Sequence, residues 1–243
     1  MIPTKSALAP ILANKHTGVF IGILIILLWA ISLVLNFIFP VVWTNPLTYL
    51  RILIQAHLFT GLFITAHDAM HGVVAPRNAK LNHLLGKIAS ALFIFNEYKK
   101  LRPKHYDHHR FAGTDKDPDF HRGKEGFFYW YLDFLKEYIS WKQVILAAIS
   151  FNIAKIWVAE PNLILYWVIA SLLGTIQLFY FGTYLPHKGE HDNSHHSRSQ
   201  KKNHLWAFIS CYFFGYHLEH HDSPATPWWL LWTKKELKEI KTP

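Results

Sequence analysis

The stretch VFIGILIILLWAISLVLNFIF, residues 19–39, constrains the fold of this chain more than any other feature. It contains no charged residue, and about 20 apolar residues in a helix are enough to cross the roughly 30 Å hydrocarbon core of a bilayer. Lipid offers no hydrogen-bond partner to the backbone, so such a segment has to be helical. The stretch therefore predicts a transmembrane helix near the start of the chain.

Three further apolar runs have a length or setting that suits membrane helices. Together with 19–39 they form two predicted hairpins, whose other arms are residues 47–66, 143–158 and 162–185. Shorter runs predict interfacial or re-entrant helices at 82–95, 127–142 and 205–216, whereas 97–126 is polar and loop-like and 233–243 is a basic, solvated tail. The expected fold is all-α, an integral membrane helical bundle of about four transmembrane helices in a single domain, residues 1–243.

Composition and charge agree with a membrane protein. Charged residues make up 17% of the chain, against about 25% in average soluble proteins. The net charge of +9 predicts contact with membrane lipid rather than with nucleic acid, since the basic residues lie in the segments at one end of both hairpins. The positive-inside rule then places that end, including the N-terminus with Lys5 and Lys15, on the cytoplasmic side. Cys211 is the only cysteine, which excludes an intrachain disulfide and a cysteine-based metal site.

The histidines are the side chains that say most about the chemistry of this protein. There are 17, and eight of them lie in three short motifs, HDAMH, HYDHH and HLEHH. Side chains at positions i, i+3 and i+4 share one face of a helix, so each motif aims its imidazoles at one point. A ninth histidine ends the fourth predicted span. The candidate metal ligands are His67, His71, His105, His108, His109, His187, His217, His220 and His221, all at the predicted cytoplasmic end.

Nine imidazoles are too many for a single metal ion, because zinc takes about four ligands. The zinc-protease pattern His-Glu-x-x-His is absent, and imidazole also suits iron, copper and nickel. Two metal ions sharing nine ligands would keep open positions for oxygen. Polar side chains near the motifs are candidates to orient the ligands, as outer partners of metal-bound histidines normally do. These are Asp68, Asp107, Glu219, Asp222 and His195. Trp228 and Trp229 are interpreted as anchors at the membrane interface.

Four stretches carry a resemblance to a known group of enzymes. They are HDAMHG (67–72), HYDHHRFAGTDKDPDF (105–120), FGTYLPH (181–187) and GYHLEHHDSPATPWW (215–229). The chain resembles the integral-membrane desaturase and hydroxylase superfamily, whose hallmark is three histidine boxes. Within it, the residues around the boxes are most similar to the β-carotene ketolase family.

The resemblance implies a four-span bundle with a cytosol-facing di-iron centre held by the nine histidines named above. It implies oxidation of C4 of a β-ionone ring with O2 and external electrons, through two successive hydroxylations and loss of water. The carotenoid substrate would enter from the lipid bilayer, and a ferredoxin-type protein would deliver the electrons.

Two alternatives stay open at this point. The same histidine boxes would serve a carotenoid 3-hydroxylase or an acyl-lipid desaturase or hydroxylase of the superfamily. A histidine-rich membrane metal transporter is an alternative of another class. A transporter should show polar or charged residues at mid-membrane along a path, and the predicted spans carry few.

Overall fold

The computed structural model describes residues 16–241, and this part of the chain is helical with no β-strand. The predicted all-α class is therefore confirmed. The predicted cytoplasmic N-terminus, with Lys5 and Lys15, lies outside the described residues, as do the last two residues of the predicted tail. In chain order the helices are α1 (Thr17–Ile38), α2 (Pro46–Met70), α3 (Ala79–Leu92), α4 (Tyr98–Phe111), α5 (Phe127–Tyr138), α6 (Trp141–Ala154), α7 (Glu160–His187), α8 (His204–Cys211), α9 (His217–Asp222) and α10 (Leu231–Lys241).

Three helices are long and apolar enough to cross a membrane: α1 with 22 residues, α2 with 25 and α7 with 28. They correspond to the predicted spans at 19–39, 47–66 and 162–185. The fourth predicted arm, 143–158, is helical only as far as Ala154, where the 14-residue helix α6 ends. At 1.5 Å per residue α6 is about 21 Å long. By length alone, residues 16–241 therefore contain three candidate spans and not the four expected.

Helix α2 is the central element of the bundle. It packs against α1, α3 and α7, and side chains such as Phe59, Leu62 and Ile64 are fully buried. Close approach to α7 depends on Gly174, where a Cβ would lie 3.0 Å from the carbonyl oxygen of Ala56. Small residues let membrane helices pack at short distance, where dispersion forces hold them together. In contrast, α1 leaves large apolar side chains exposed on its outer face, as a lipid-facing helix should.

A polar cluster ties the three long helices together at one end. Asn36 of α1 donates to Gln55 of α2 (3.3 Å) and accepts from Arg51 (2.7 Å). Asn162, near the start of α7, donates to the backbone oxygen atoms of Asn36 (2.6 Å) and Phe39 (2.7 Å). The C-terminal ends of α2 and α7 therefore point to the opposite end of the bundle, where the histidines are.

Two segments differ from the sequence-based expectations. Residues 98–111, predicted as part of a polar loop, form α4, which is anchored by the buried side chains of Tyr98 and Leu101. Trp228 and Trp229, predicted as interface anchors, are each 8% exposed and belong to the main core cluster. Both differences have one cause, because these side chains pack against α2 or its neighbours rather than against lipid.

The segment before the third histidine motif makes a tight reversal. Tyr212 and Phe213 adopt left-handed backbone conformations, with φ of 46° and 64°, which are uncommon for bulky residues. Close packing holds the turn in place, since a Cβ at Gly61 of α2 would lie 2.6 Å from the hydroxyl of Tyr212. The reversal ends α8 and directs α9, with its three histidines, back onto the end of α2.

Candidate metal centre

Four separate elements bring the nine predicted histidine ligands to one place. The last turn of α2 and its C-cap carry His67 and His71, and α4 carries the second motif. His187 is the last residue of α7, and α9 carries the third motif. All nine side chains fall into two groups in which the potential ligand atoms lie within 4.8 Å of one another.

The first histidine group has five members: His67, His71, His105, His109 and His220. Nε2 of His105 lies 2.6 Å from Nε2 of His71 and 3.1 Å from Nε2 of His109. Nε2 of His109 lies 3.0 Å from Nε2 of His220. Two imidazoles from α4, His105 and His109, therefore bridge the gap between the ends of α2 and α9.

The second histidine group has four buried members: His108, His187, His217 and His221. Nε2 of His217 lies 2.9 Å from Nε2 of His187 and 3.0 Å from Nε2 of His221. Nε2 of His221 lies 3.2 Å from Nε2 of His108. The i, i+4 pair of α9 thus meets the ends of α7 and α4 at a single point.

The protonation pattern of the rings fits a bound cation. Nδ1 of His187 faces the backbone oxygen of His196 (2.7 Å), and Nδ1 of His67 and of His108 faces the carboxylates of Asp68 and Asp117. Each of these outer nitrogens donates a hydrogen, so in the neutral ring Nε2 keeps a lone pair and points it into the group. Nε2 of His67 is buried and has no hydrogen-bond partner among the described residues. Lone pairs crowded together in this way repel one another unless a positive charge lies between them.

The spacing of the nitrogens also fits a metal ion. An imidazole nitrogen lies about 2.0–2.1 Å from its metal, so two ligands at right angles are about 3 Å apart. Apart from the 2.6 Å between His71 and His105, the closest Nε2 separations in the two groups are 2.9–3.2 Å. The donor set is nitrogen only, which suits iron, copper and zinc better than magnesium or calcium.

Burial keeps most of the rings neutral, as metal ligands must be. It lowers the pKa of His109 to about 2 and holds the pKa of His105, His217 and His220 well below the ordinary value, with the neighbouring imidazoles adding to the effect. His108 differs: burial opposes its protonation, yet the carboxylates of Asp117 and Asp119 raise its pKa to about 9. The two carboxylates therefore favour positive charge at the second histidine group.

Only some of the predicted orienting residues contact the histidines. Asp68 accepts from Nδ1 of His67 (3.1 Å) and from the backbone amide of Trp228 (2.9 Å), which links α2 to the segment after the third motif. His195 packs beside His221 with a ring separation of 5.4 Å, and Asp222 pairs with His195 at 3.2 Å. His195 therefore contacts a ligand directly through its ring, whereas Asp222 acts on the ligands only through His195.

Asp107 and Glu219 do not contact the nine histidines in the described part of the chain. Asp107 is exposed on the outer side of α4. Glu219 is buried but accepts from the hydroxyl of Ser199 and pairs with Lys235 (3.4 Å). Its contacts fix α9 against α10 and the loop before α8, so it stabilises the element that carries the ligands.

Sequence reasoning missed the carboxylate that orients His108. Asp117 is 1% exposed and accepts from Nδ1 of His108 (3.0 Å) as well as from the amides of Gly113 and Asp119. Burial opposes its ionisation, but His108 and these amides keep the pKa of Asp117 below the ordinary value. Asp119 lies beside it. The signal was present in the stretch TDKDPDF after the second motif, but nothing in the spacing showed which aspartate turns inward.

An apolar cavity of about 450 Å³ ends at both histidine groups. Its inner wall includes His67, His105, His108 and His217. Its outer part lies between α6 and α7, where Val144, Ala147, Val168 and Leu172 line it. Val144 and Leu172 are 45% and 48% exposed on the outer surface of these helices. The cavity therefore connects the histidines with the face of the bundle that lipid would cover.

Comparison with known proteins identifies the group to which the molecule belongs. The family model described as "Fatty acid desaturase" matches residues 43–151 and 136–238, which together include all nine histidines. The chain belongs to the fatty acid desaturase family. Desaturases are oxidoreductases, so the family assignment supports an enzyme of that class.

Several relatives within the fatty acid desaturase family are named ketolases. The chain is 41% identical over 184 residues to "Beta-carotene 4-ketolase 3" of Haematococcus lacustris, covering 72% of this chain and 58% of that protein. It is 39% identical over 179 residues to "Beta-carotene ketolase" of Paracoccus sp. (strain N81106 / MBIC 01143), covering 72% and 73%. It is 40% identical over 181 residues to "Zeaxanthin 4-ketolase" of Chlamydomonas reinhardtii, covering 72% and 41%. The chain spans little more than half the length of the first relatives it matches.

The desaturase-family chain is therefore an integral membrane protein with a histidine-rich metal-binding site at one end of its long helices. Three apolar helices and the family assignment support the membrane location. Two histidine groups with inward-facing lone pairs support the metal-binding role.

Proposed function

We propose that this protein is an O2-dependent carotenoid ketolase that converts the C4 methylene of a β-ionone ring into a ketone. The observation that carries the proposal is the apolar cavity that leads from the lipid-facing surface to both histidine groups. The relatives named β-carotene ketolase, at about 40% identity, supply the substrate class. A hydrogen on C4 is not acidic, so removing it requires an oxidant rather than an acid–base pair.

The five histidines of the first group and the four of the second would hold two iron ions, one in each group. Nine ligands leave open positions on such a pair, which would supply the activation of O2. Each hydroxylation uses one O2, two electrons and two protons and forms one water molecule. Two hydroxylations at C4 give a geminal diol, which loses water to become the ketone.

The protein's own part is to place the ring and to hold the imidazoles. The walls formed by Phe63, Phe93, Leu101 and Phe214 exclude water and receive the apolar end group. Asp68 and Asp117 fix the orientation of His67 and His108 through their outer nitrogens. Such outer partners set the direction of the lone pair on the inner nitrogen.

The path of the chain supports a fourth membrane crossing at α6. Helix α2 ends at the histidine end, whereas α7 begins at the polar cluster beside Asn36 and Phe39. The segment between them must return across the bundle, and α6 is its apolar helix. A short crossing is compatible with local thinning of the bilayer. We propose that α6 and α7 form the second hairpin.

The electrons come from a partner protein in this proposal. The basic segments lie at the histidine end, which the positive-inside rule places in the cytoplasm. A ferredoxin-type donor with an acidic surface would be steered there by charge complementarity. The metal-transporter alternative has no support among the relatives reported above, which carry enzyme names.

Pigment analysis in cells tests the proposal. The chain is expressed in bacteria that make β-carotene, and the extracted carotenoids are separated and identified by mass and absorption. We expect 4-keto products, whose conjugated carbonyl shifts absorption to longer wavelength. The His108→Ala variant should reach the membrane in equal amount and yield no ketone. Formation of 3-hydroxylated products without ketones would favour the 3-hydroxylase alternative, and a ketone from His108→Ala would contradict the metal-site assignment.

A further inference from the structure

The apolar cavity contains two polar pairs in its wall. In the first, Gln143 donates to Asn96 (2.9 Å) and to the backbone oxygen of Ile94, and its own oxygen accepts from Ser140. Asn96 in turn donates to the backbone oxygen of Phe93 (2.6 Å). The amide groups of this pair are occupied by one another and by the backbone, so the pair closes the loop after α3 rather than facing a ligand.

In the second pair, Asp119 and Tyr138, one carboxylate oxygen is available to accept a hydrogen bond. The hydroxyl of Tyr138 donates to Oδ1 of Asp119. Oδ2 of Asp119 lies 3.7 Å from Nδ1 of His108, beyond hydrogen-bond distance, because that nitrogen donates to Asp117 at 3.0 Å. Among the described residues, Oδ2 accepts no hydrogen bond, although it lies within ion-pair distance of His108. A carboxylate offers about four acceptor sites, and the Asp119 side chain, 15% exposed, lines the cavity.

The position of this carboxylate limits what it can contact. It lies on the Nδ1 side of the His108 ring, while Nε2 of the same ring faces the second histidine group. Asp119 is therefore set back from the ligand atoms by the width of an imidazole. A substrate carbon directed at the histidines would stay out of its reach, but a substituent on the neighbouring ring carbon would meet it.

We propose that Asp119, held in place by Tyr138, accepts a hydrogen bond from a hydroxyl group on C3 of the substrate ring, so that the protein favours 3-hydroxylated β-ionone rings over unsubstituted ones. The inference rests on the proposed ketolase function and names the ring class that the cavity selects. Asp119 is a specificity-determining residue here, and it takes no part in the oxidation at C4.

The preference for a hydroxylated ring follows from the free-energy cost of removing water from Oδ2 of Asp119 without supplying another hydrogen-bond donor. An unsubstituted ring removes water from Oδ2 and offers nothing in return, whereas a hydroxylated ring supplies the missing donor. Hydrogen bonds to charged groups contribute enough to change the preference by about 10- to 100-fold. Sites that bind a substrate hydroxyl discriminate in this way against analogues that lack it.

A competition experiment measures the preference directly. The full chain, purified in detergent with its iron and supplied with a reducing system, receives equal amounts of β-carotene and its 3,3′-dihydroxy derivative, zeaxanthin. The ratio of the two ketone products is independent of how much protein is active. Binding of the same two carotenoids to the iron-stripped protein gives a second ratio that does not depend on turnover.

We expect Asp119→Leu to lower both ratios of hydroxylated to unsubstituted ring by about 10- to 100-fold. Asp119→Asn keeps an acceptor without its charge and should lower them less, since charge-assisted hydrogen bonds are about twice as strong as neutral ones. The matched control is Asp115→Leu, the same change at an exposed position of the same loop, which should leave both ratios as in the wild type.

Unchanged ratios in Asp119→Leu would overturn the inference while the ketolase function stands. If that variant does not insert into the membrane, Asp119→Asn decides, and ratios equal to those of the wild type would count against the proposal. Failure of the wild-type protein to convert either carotenoid would instead overturn the proposed function, and the inference with it.

Discussion

At the residue scale, the centre depends on the groups that bind the outer nitrogens of His67, His108 and His187. Asp68 follows His67 directly in the sequence, so its role was predictable from the motif itself. Asp117 comes nine positions after His108 and reaches it only because Gly113, with φ of 74°, lets the chain turn back after α4. The left-handed backbone at His196, whose carbonyl oxygen accepts from His187, was likewise not visible in the sequence. Spacing predicted the ligands, but loop conformation decides their partners.

Replacing Asp117 tests this role. Asp117→Asn removes the negative charge from Nδ1 of His108 and puts an amide hydrogen where an acceptor is needed. We expect the affinity for iron to fall by about 10- to 100-fold, as for other outer partners of metal-bound histidines. Iron bound per chain, measured against a series of chelator concentrations, gives the result.

Asp107→Asn is the matched control for this change. Asp107 is exposed on α4 only one residue before His108, so its loss should not affect iron retention. Equal iron retention by Asp117→Asn and Asp107→Asn would show that the buried carboxylate has no influence on the metal.

At the scale of elements, the sequence predicted the long helices well and the short ones less well. Length and low charge are enough for α1, α2 and α7, because a backbone in lipid has to satisfy its hydrogen bonds within the helix. α4 was predicted as loop because its sequence is polar. Its stability comes from burial of Tyr98 and Leu101 against α2 and α3, which composition does not reveal. The two π-helical stretches in α7, Ile164–Ile169 and Tyr180–Tyr184, have no sequence signature either.

The gap between α6 and α7 is the proposed entrance for the substrate. Ala147 of α6 lines this part of the cavity, and a tryptophan there would fill the passage. We expect Ala147→Trp to lower ketone formation by about tenfold or more, equal to a loss of at least 1.4 kcal/mol, with normal iron content. Product formation in carotenoid-producing cells and iron per chain are the two measurements.

Ile149→Trp provides the control for added bulk. Ile149 lies on the same helix but is 51% exposed and outside the cavity wall, so this change should leave ketone formation near the wild-type level. A similar loss in both variants would point to damage of α6 rather than to a blocked passage.

At the scale of the whole molecule, residues 150 positions apart in the chain meet at one end of the bundle. The all-α class and the convergence of the three histidine motifs were predictable from hydrophobic runs and histidine spacing. The division of the nine imidazoles into groups of five and four was not, because it depends on how α9 is turned by the reversal at Tyr212 and Phe213. The sequence predicted about four membrane crossings, but α6, with 14 residues, is shorter than the apolar run from which its crossing was predicted.

Orientation in the membrane can be tested with the help of the lone cysteine. Cys211 is fully buried, so a membrane-impermeant maleimide should give little background. We expect Trp43→Cys, in the exposed loop between α1 and α2, to react in intact cells. Lys201→Cys, in the exposed segment before α8, should react only after the cells are permeabilised.

The opposite labelling pattern would place the histidine groups outside the cytoplasm and would exclude a cytoplasmic electron donor. Labelling of both variants in intact cells would argue against a crossing between the two segments.

The sideways opening between α6 and α7 has a consequence for how the enzyme would respond to its substrate. A molecule that arrives within the plane of the bilayer is presented at its mole fraction among the lipids, not at a concentration in water. Saturation would therefore be set by how much pigment the membrane dissolves, and adding more lipid at constant pigment would slow the reaction by dilution in two dimensions.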